Sequence, residues 1–354
     1  MEKEEESTFI IETNKLIEKG QYSNIYFAYK KNKPNKKYAA KLIPSSIINN
    51  QILLTQFSNE ILITSQFKNK NLLHFISIEE DENGNSYIIM EYCNGNDLLT
   101  FIKKLKRTKK RNLNELEIQK ILKDILYGLS CLHRNSIIHH DIKLENILLN
   151  FNTNEDLNNL NINNCTFKIC DFGFSKFINN ENNNYTIGGT IENIPPEIVL
   201  GRKHINDIDK SKIDIWAIGI LAFKLMFSCH PFISEEDYIE GKVLEQLKKK
   251  LDIGKYKIIF NENTQISKEF LWFIDSCLKG DFNKRLNSED LEYSRFITRN
   301  INKFNYINAT NLFDNNIPEK YLDNNINDSY NIINDGIIVL DIYDEKYVQE
   351  EIVE

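Results

Sequence analysis

Between Ile138 and Asn146 the chain reads Ile-His-His-Asp-Ile-Lys-Leu-Glu-Asn, which brings a carboxylate (Asp141), a cation (Lys143) and a carboxamide (Asn146) into one short stretch. A second carboxylate, Asp171, opens Asp-Phe-Gly downstream. Phosphoryl transfer asks for these types: a carboxylate to accept the attacking hydroxyl's proton, a cation beside the phosphate, and oxygen donors for a magnesium ion. Asp141, Lys143 and Asn146 supply these types in one loop, and Asp171 a second carboxylate for the metal.

Groups of this kind need elements to hold them. Asn114-x-x-Glu117 is a capping-box start, and Ile118, Ile121, Leu122, Ile125, Leu126, Leu129 and Leu132 follow at helical spacing, predicting a long helix that delivers the chain to Asp141. Near the N-terminus, Ile25, Phe27 and Tyr29 alternate after Lys-Gly-Gln-Tyr-Ser, so strand, turn and strand are expected from Asn14. Tyr38-Ala-Ala-Lys41 closes a further strand. Leu53, Phe57, Glu60, Ile61 and Thr64 share one helix face, and a carboxylate among apolar residues needs a cation, for which Lys41 is the natural partner. Asp81 to Gly84 signals a hairpin before a strand over Ser86 to Tyr92. Asp214 heads the apolar run Ile215 to Phe223, where a charge requires buried partners.

Together these motifs resemble the eukaryotic protein kinases of serine/threonine type, nearest in pattern to the calcium/calmodulin-dependent kinase-like groups. The resemblance covers residues 12–297. It implies an α+β, bilobal fold: a small antiparallel-sheet lobe with one helix (12–90), a hinge (91–95) and a larger, mainly helical lobe (96–297). A charged extension (1–11) and an acidic, Asn-rich tail (298–354) flank it. ATP and Mg2+ are the implied cofactors, and protein hydroxyls the implied acceptors. On this resemblance Asp141 is the base, Lys143 the phosphate-side cation, and Asn146 with Asp171 the metal holders. The hairpin at Gly20 covers the phosphates, and Lys41, held by Glu60, pairs with them. Ile25, Ala39 and Leu148 sandwich the adenine, Met90 guards its back, and Glu91 to Cys93 form the hinge. Asp97 reaches the ribose or caps the next helix. Thr190 is expected to bond Asp141 and Lys143, Asp214 the catalytic-loop backbone, and Glu197 Arg285.

The chain departs from the family in several places. Glu18 and Ser23 stand at glycine positions of the hairpin. A non-glycine residue there costs about 1 to 2 kcal/mol, against roughly 4 to 8 kcal/mol for millimolar to micromolar binding, so nucleotide affinity should fall without vanishing. The Glu18 carboxylate acts in the same direction. His140 replaces an arginine that pairs with activation-segment phosphate, so activity should depend less on that phosphate; Ser175, Tyr185 and Thr186 are the candidate phosphosites. Leu144, Asn193 and Pro195 also differ. Glu145 is retained, but Lys224 stands where basic-directed kinases carry glutamate, and these two cues to substrate preference disagree. A weakly active or inactive pseudokinase serving as a nucleotide-binding scaffold is the alternative reading.

Composition narrows the partners. A net charge of −7 argues against a protein that binds nucleic acid through backbone contacts. The one strongly basic run, Lys103 to Arg111, is expected on a loop between two helices as a solvated face. Six cysteines without Cys-x-x-Cys spacing suit free thiols in a reducing compartment. The longest apolar run, Ile215 to Phe223, is too short to cross a bilayer. An intracellular protein is expected, cytoplasmic or nuclear, away from membranes. Asn150 to Asn164 reads as hairpin-tip padding. The run Ile337 to Leu340 is expected either to dock on the small lobe or to leave the tail free for a docking partner.

Overall fold

The computed structural model describes residues 9–20, 23–46, 50–178, 188–201, 209–253, 255–259, 265–300, 306–308, 330–333 and 337–341. They fall into two compact units: Met1–Lys104 with Glu145–Lys176, and Leu105–Leu144 with Phe177–Glu354.

Alternation organises the first unit. Strands β1 (Phe9–Lys19), β2 (Asn24–Lys30), β3 (Lys33–Ile43), β4 (Phe75–Glu80) and β5 (Ser86–Glu91) form an antiparallel sheet in the order β1-β2-β3-β5-β4. Cross-strand partners share a face, so the rungs Glu18–Ile25–Lys41–Ile88 and Phe27–Ala39–Met90 present one set of side chains together. Ile88 and Met90 of that face pack with Phe57 of helix α1 (Gln51–Gln66), Leu73, Cys93 and Cys170. The opposite face buries Phe9, Ala28, Tyr38, Ala40, Tyr87 and Ile89. β1 begins at Phe9, ahead of Asn14, because the Phe9 ring packs edge-on against Tyr38 at 5.1 Å. Part of the stretch read as a charged extension is thus strand.

The hairpin Ile147–Phe151/Cys165–Ile169 belongs to this same unit. It is tied to residues 94–95: the Gly95 N–H donates to the Leu149 carbonyl (2.8 Å), and Asn94 exchanges two bonds with the Phe151 backbone (3.1 and 2.8 Å). A Cβ on Gly95 would lie 2.6 Å from that of Leu149, so only glycine permits the approach. The Asn-rich tip is folded, contrary to its reading as padding. Helix α4 (Asn154–Asn159) follows Thr153, and the Asp156 carboxylate accepts from Thr153 Oγ1 (2.6 Å), Asn161 (3.1 Å) and Asn164 (3.0 Å). Leu160 and Ile162 are buried beneath it.

The basic run is helical rather than a loop. Helix α2 spans Leu98–Lys109, with Asp97 Oδ1 accepting the Thr100 N–H at 2.8 Å. Leu98, Phe101 and Leu105, spaced to share a face, are buried and carry the helix through the cations.

In the second unit, helix α3 (Glu115–Arg134) starts on a complete Asn114/Glu117 capping box and buries the whole predicted apolar stripe. The helix Ser211–Phe227 is buried along most of its length. The Arg285 guanidinium lies 4.9 Å from the Trp216 ring centroid and makes a two-pronged bond to Glu197 (2.8 and 2.5 Å). The tail strand Ile337–Asp341 pairs antiparallel with Lys255–Ile259 and with Tyr330–Ile333, while Tyr306–Asn308 pairs with Gln265–Ser267. The tail run is therefore a strand, but on the second unit instead of the small lobe. There the unpaired backbone of Lys255–Ile259 offers it a five-residue ladder. Among the described residues no helix is long and apolar enough to cross a membrane.

Candidate active site

Each unit contributes one set of functional side chains. In the first, Lys41 Nζ lies 2.5 Å from Glu60 Oε2 and 3.7 Å from Asp171 Oδ1. Burial on its own would push the ammonium toward neutrality; the charges of Glu60 and then Asp171 outweigh it and hold Lys41 protonated with a raised pKa. The helix α1 places Glu60 on its inward side among Phe57, Ile63 and Thr64. Asp171 takes a left-handed backbone (φ 62°), costly for a non-glycine residue and found where a site imposes it.

Asn146 is brought beside Asp171 by the hairpin register. Ile147 pairs with Ile169, and the Cys170 N–H donates to the Asn146 carbonyl at 3.0 Å. One carboxylate and one carboxamide are hard oxygen donors suited to Mg2+, which keeps water and phosphate oxygens for its other positions. Among the described residues no group of three or more His, Cys, Asp or Glu could hold a metal.

The sheet face that carries Lys41 also carries Ile25, Ala39 and Met90, and Leu148 packs against the cluster of Met90, Cys93 and Cys170. The expected adenine contacts therefore share one surface. Asp97 bridges Leu148 while capping α2. The Glu91 carboxylate accepts from the His74 N–H (2.8 Å) and pairs with Lys168 (2.9 Å). Burial pushes the Cys93 thiol up to about 12.

At the hairpin tip, the Gly20 N–H donates to the Ser23 carbonyl (3.0 Å) and Ser23 Oγ to the Leu42 carbonyl (2.5 Å). Gly20 is needed for this turn, since a Cβ would lie 2.6 Å from the Ser23 oxygen. The Ser23 hydroxyl thus ties the tip to β3. Glu18 has a raised pKa, from partial burial and then from Asp97 and Asp171, with Lys41 opposing.

In the second unit, Asp141 Oδ1 accepts from the Thr190 hydroxyl (2.7 Å) and N–H (3.0 Å), and Oδ2 lies 2.7 Å from Lys143 Nζ. Lys143 also donates to Thr190 Oγ1 (2.9 Å). Desolvation would raise the Asp141 pKa, but Lys143 and Thr190 more than offset it and hold the group ionised. Asp214 fixes the loop from below, accepting the backbone N–H groups of His139 and His140 at 2.8 Å each. Gly189, at φ 99°, brings its backbone so close to the His140 carbonyl that a Cβ would lie 2.3 Å away.

Other expectations meet corrections. Ser175 is fully buried and closed to modification in this conformation; Tyr185 and Thr186 lie outside the described residues. Lys224 is paired with Glu192, whose carboxylate also accepts from Tyr238 Oη (2.5 Å). The six cysteines are all free. Sequence reasoning missed Lys168, Gly95 and His133. Lys168 is a cation inside an apolar strand, which was a usable signal; it donates to the Lys70 carbonyl at 2.6 Å. His133 bonds Asp214 and Ser288 at 3.0 Å each, through partners no local pattern announces.

Comparison with known proteins shows the family. The protein kinase domain model matches residues 11–297. Calcium-dependent protein kinase 5 of Plasmodium berghei is 28% identical over 303 residues, covering 86% of this chain and 48% of its own length. Aurora kinase of Schizosaccharomyces pombe is 29% identical over 223 residues, 63% of this chain and 56% of its own. A serine/threonine-protein kinase of Candida albicans is 30% identical over 241 residues, 68% of this chain and 17% of its own. This chain thus spans about half the length, or less, of the first curated relatives it matches. With a family match over most of its length and the two residue sets in place, the chain belongs to the protein kinase family.

Proposed function

We propose that the protein transfers the γ-phosphate of ATP to serine or threonine hydroxyls of other proteins. One observation carries this reading: Asp141 is held ionised by Lys143 and Thr190, five residues before the Asn146 that stands beside Asp171. The Asp141 carboxylate takes the proton of the acceptor hydroxyl as its oxygen bonds to phosphorus and the bond to the nucleotide oxygen breaks. Lys143 and Lys41 offset negative charge on the phosphates. Mg2+ held by Asn146 and Asp171 would add further neutralisation there. Ile25, Ala39, Leu148 and Met90 supply an apolar surface for the adenine.

Retention of every phosphate-, metal- and hydroxyl-facing side chain favours an enzyme over a nucleotide-binding scaffold. Free thiols suit a reducing, intracellular setting. A partner docking through the tail would have to displace Ile337–Asp341 from Lys255–Ile259.

The test is purified protein with Mg-ATP and a protein acceptor. Phosphate incorporation should disappear in Asp141→Asn and in Asp171→Asn; incorporation that persists unchanged in both refutes the enzyme reading.

A further inference from the structure

Helix α2 carries Lys103, Lys106 and Arg107 at the helical spacing i, i+3, i+4, Lys110 follows just beyond its end with a left-handed backbone, and all four are exposed. Leu98, Phe101 and Leu105 are buried, so the helix cannot roll and the cations are held outward. Seven of the nine residues from Lys103 to Arg111 are cationic and none is acidic, in a chain of net charge −7.

Several cations on or just beyond other helices are matched. Lys120 meets Asp124, Lys279 meets Asp275, and Arg134 meets Glu289 and Glu292. Arg111, the last of the run, is forked onto Glu117 at 2.7 Å. Among the described residues Lys103, Lys106, Arg107 and Lys110 meet no carboxylate. Helix stability accounts for them only in part. Lys106 and Arg107 stand in the last turn, where the helix dipole favours cations, but Lys103 does not, and Lys103 over Arg107 is a like-charge pair costing about 0.2 to 0.5 kcal/mol.

We infer that this stripe is a docking surface for an acidic segment of a protein substrate, a role that rests on the kinase reading above. The four cations span about 10 Å along the axis, enough for three or four extended residues and close to the Debye length of about 8 Å. A short acidic peptide therefore feels mainly the stripe. A lipid surface or a nucleic acid extends past it and meets the acidic remainder of the chain.

The experiment uses the full chain, the variant K103Q/K106Q/R107Q/K110Q, and K248Q/K249Q as an exposed-lysine control. A fluorescein-labelled ten-residue polyglutamate peptide, phosphatidylserine vesicles and a thymidine oligonucleotide are the probes. The peptide should bind the wild type and the control alike, bind the α2 variant about tenfold more weakly, and dissociate between about 0.05 and 0.5 M salt. Adding the glutamate run to an acceptor peptide should lower KM in the wild type and the control but not in the α2 variant, with kcat unchanged. Equal peptide binding by all three proteins overturns the inference, as does capture of vesicles or oligonucleotide without the peptide. Because binding is read without phosphate transfer, an inactive protein that still holds the peptide through α2 counts against the kinase reading and not against the surface.

Discussion

Glu18 and Lys41 stand on one rung of the sheet, on either side of Ile25, so a carboxylate faces the same space as the lysine expected to meet phosphate. Two unit charges about 10 Å apart interact by roughly 1 to 2 kcal/mol at an effective dielectric near 20, and the exposure of Glu18 reduces this. Glu18→Gly should therefore tighten ATP binding by about fivefold with little change in kcat, measured by nucleotide titration. Glu18→Gln should recover part of the gain, separating charge from backbone freedom. Asp214 supports a second experiment. Despite burial, His133 above all holds its pKa below the usual carboxylate range, and the charges of His140 and His139 add to this. Its stabilising contribution is thus present above the unfolded-state value and is lost as pH falls through the depressed folded value. Asp214→Asn should cost about 2 to 4 kcal/mol near neutrality, and the gap from wild type in denaturant melts should close in acid. At this scale the chain was readable wherever a charge sat in apolar surroundings. Glu60 demanded Lys41, and Asp214 demanded buried donors. Gly95 was opaque because its need arises from Leu149, a contact made by chain far along the sequence.

The elements were legible by period and obscured by polarity. Alternation identified β2, the turn signal at Asp81 to Gly84 identified β5, and the apolar stripe identified α3. Helix α2 was hidden because its five cations outweigh Leu98, Phe101 and Leu105, yet three buried residues on one face suffice once they have a surface to pack on. The Asn-rich tip was read as solvated for the same reason. Its order comes from one carboxylate, Asp156, saturated by Thr153, Asn161 and Asn164. Asp156→Ala should release residues 152–164 locally. Hydrogen exchange there should accelerate by about tenfold or more, while the rest of the first unit keeps its protection. Unchanged exchange would show that Leu160 and Ile162 hold the tip without the carboxylate.

For the molecule as a whole, the Arg285–Glu197 pair joins parts of the second unit that lie 88 residues apart in sequence. Arg285 also donates through Nε to the Lys279 carbonyl (2.7 Å) and stacks on Trp216. Arg285→Met leaves Glu197 charged and buried, and should cost about 3 to 5 kcal/mol, read as a lowered midpoint in denaturant. Changing Glu197→Gln as well should restore part of it. The resemblance foresaw this pair, but the sequence left the tail run open between docking on the small lobe and staying free, and named neither a strand nor its edge. A run of apolar residues specifies that a segment will pair; which free edge it finds depends on the assembled fold.

That edge has a consequence for biosynthesis. Ile259 finds its ladder partner in Ile337, so on the ribosome the inner strand waits while the intervening chain is made, roughly 4 to 16 s at 5 to 20 residues per second. Throughout that interval its backbone is open to passing chaperones or to neighbouring nascent chains, and only the emergence of Ile337–Asp341 shuts it.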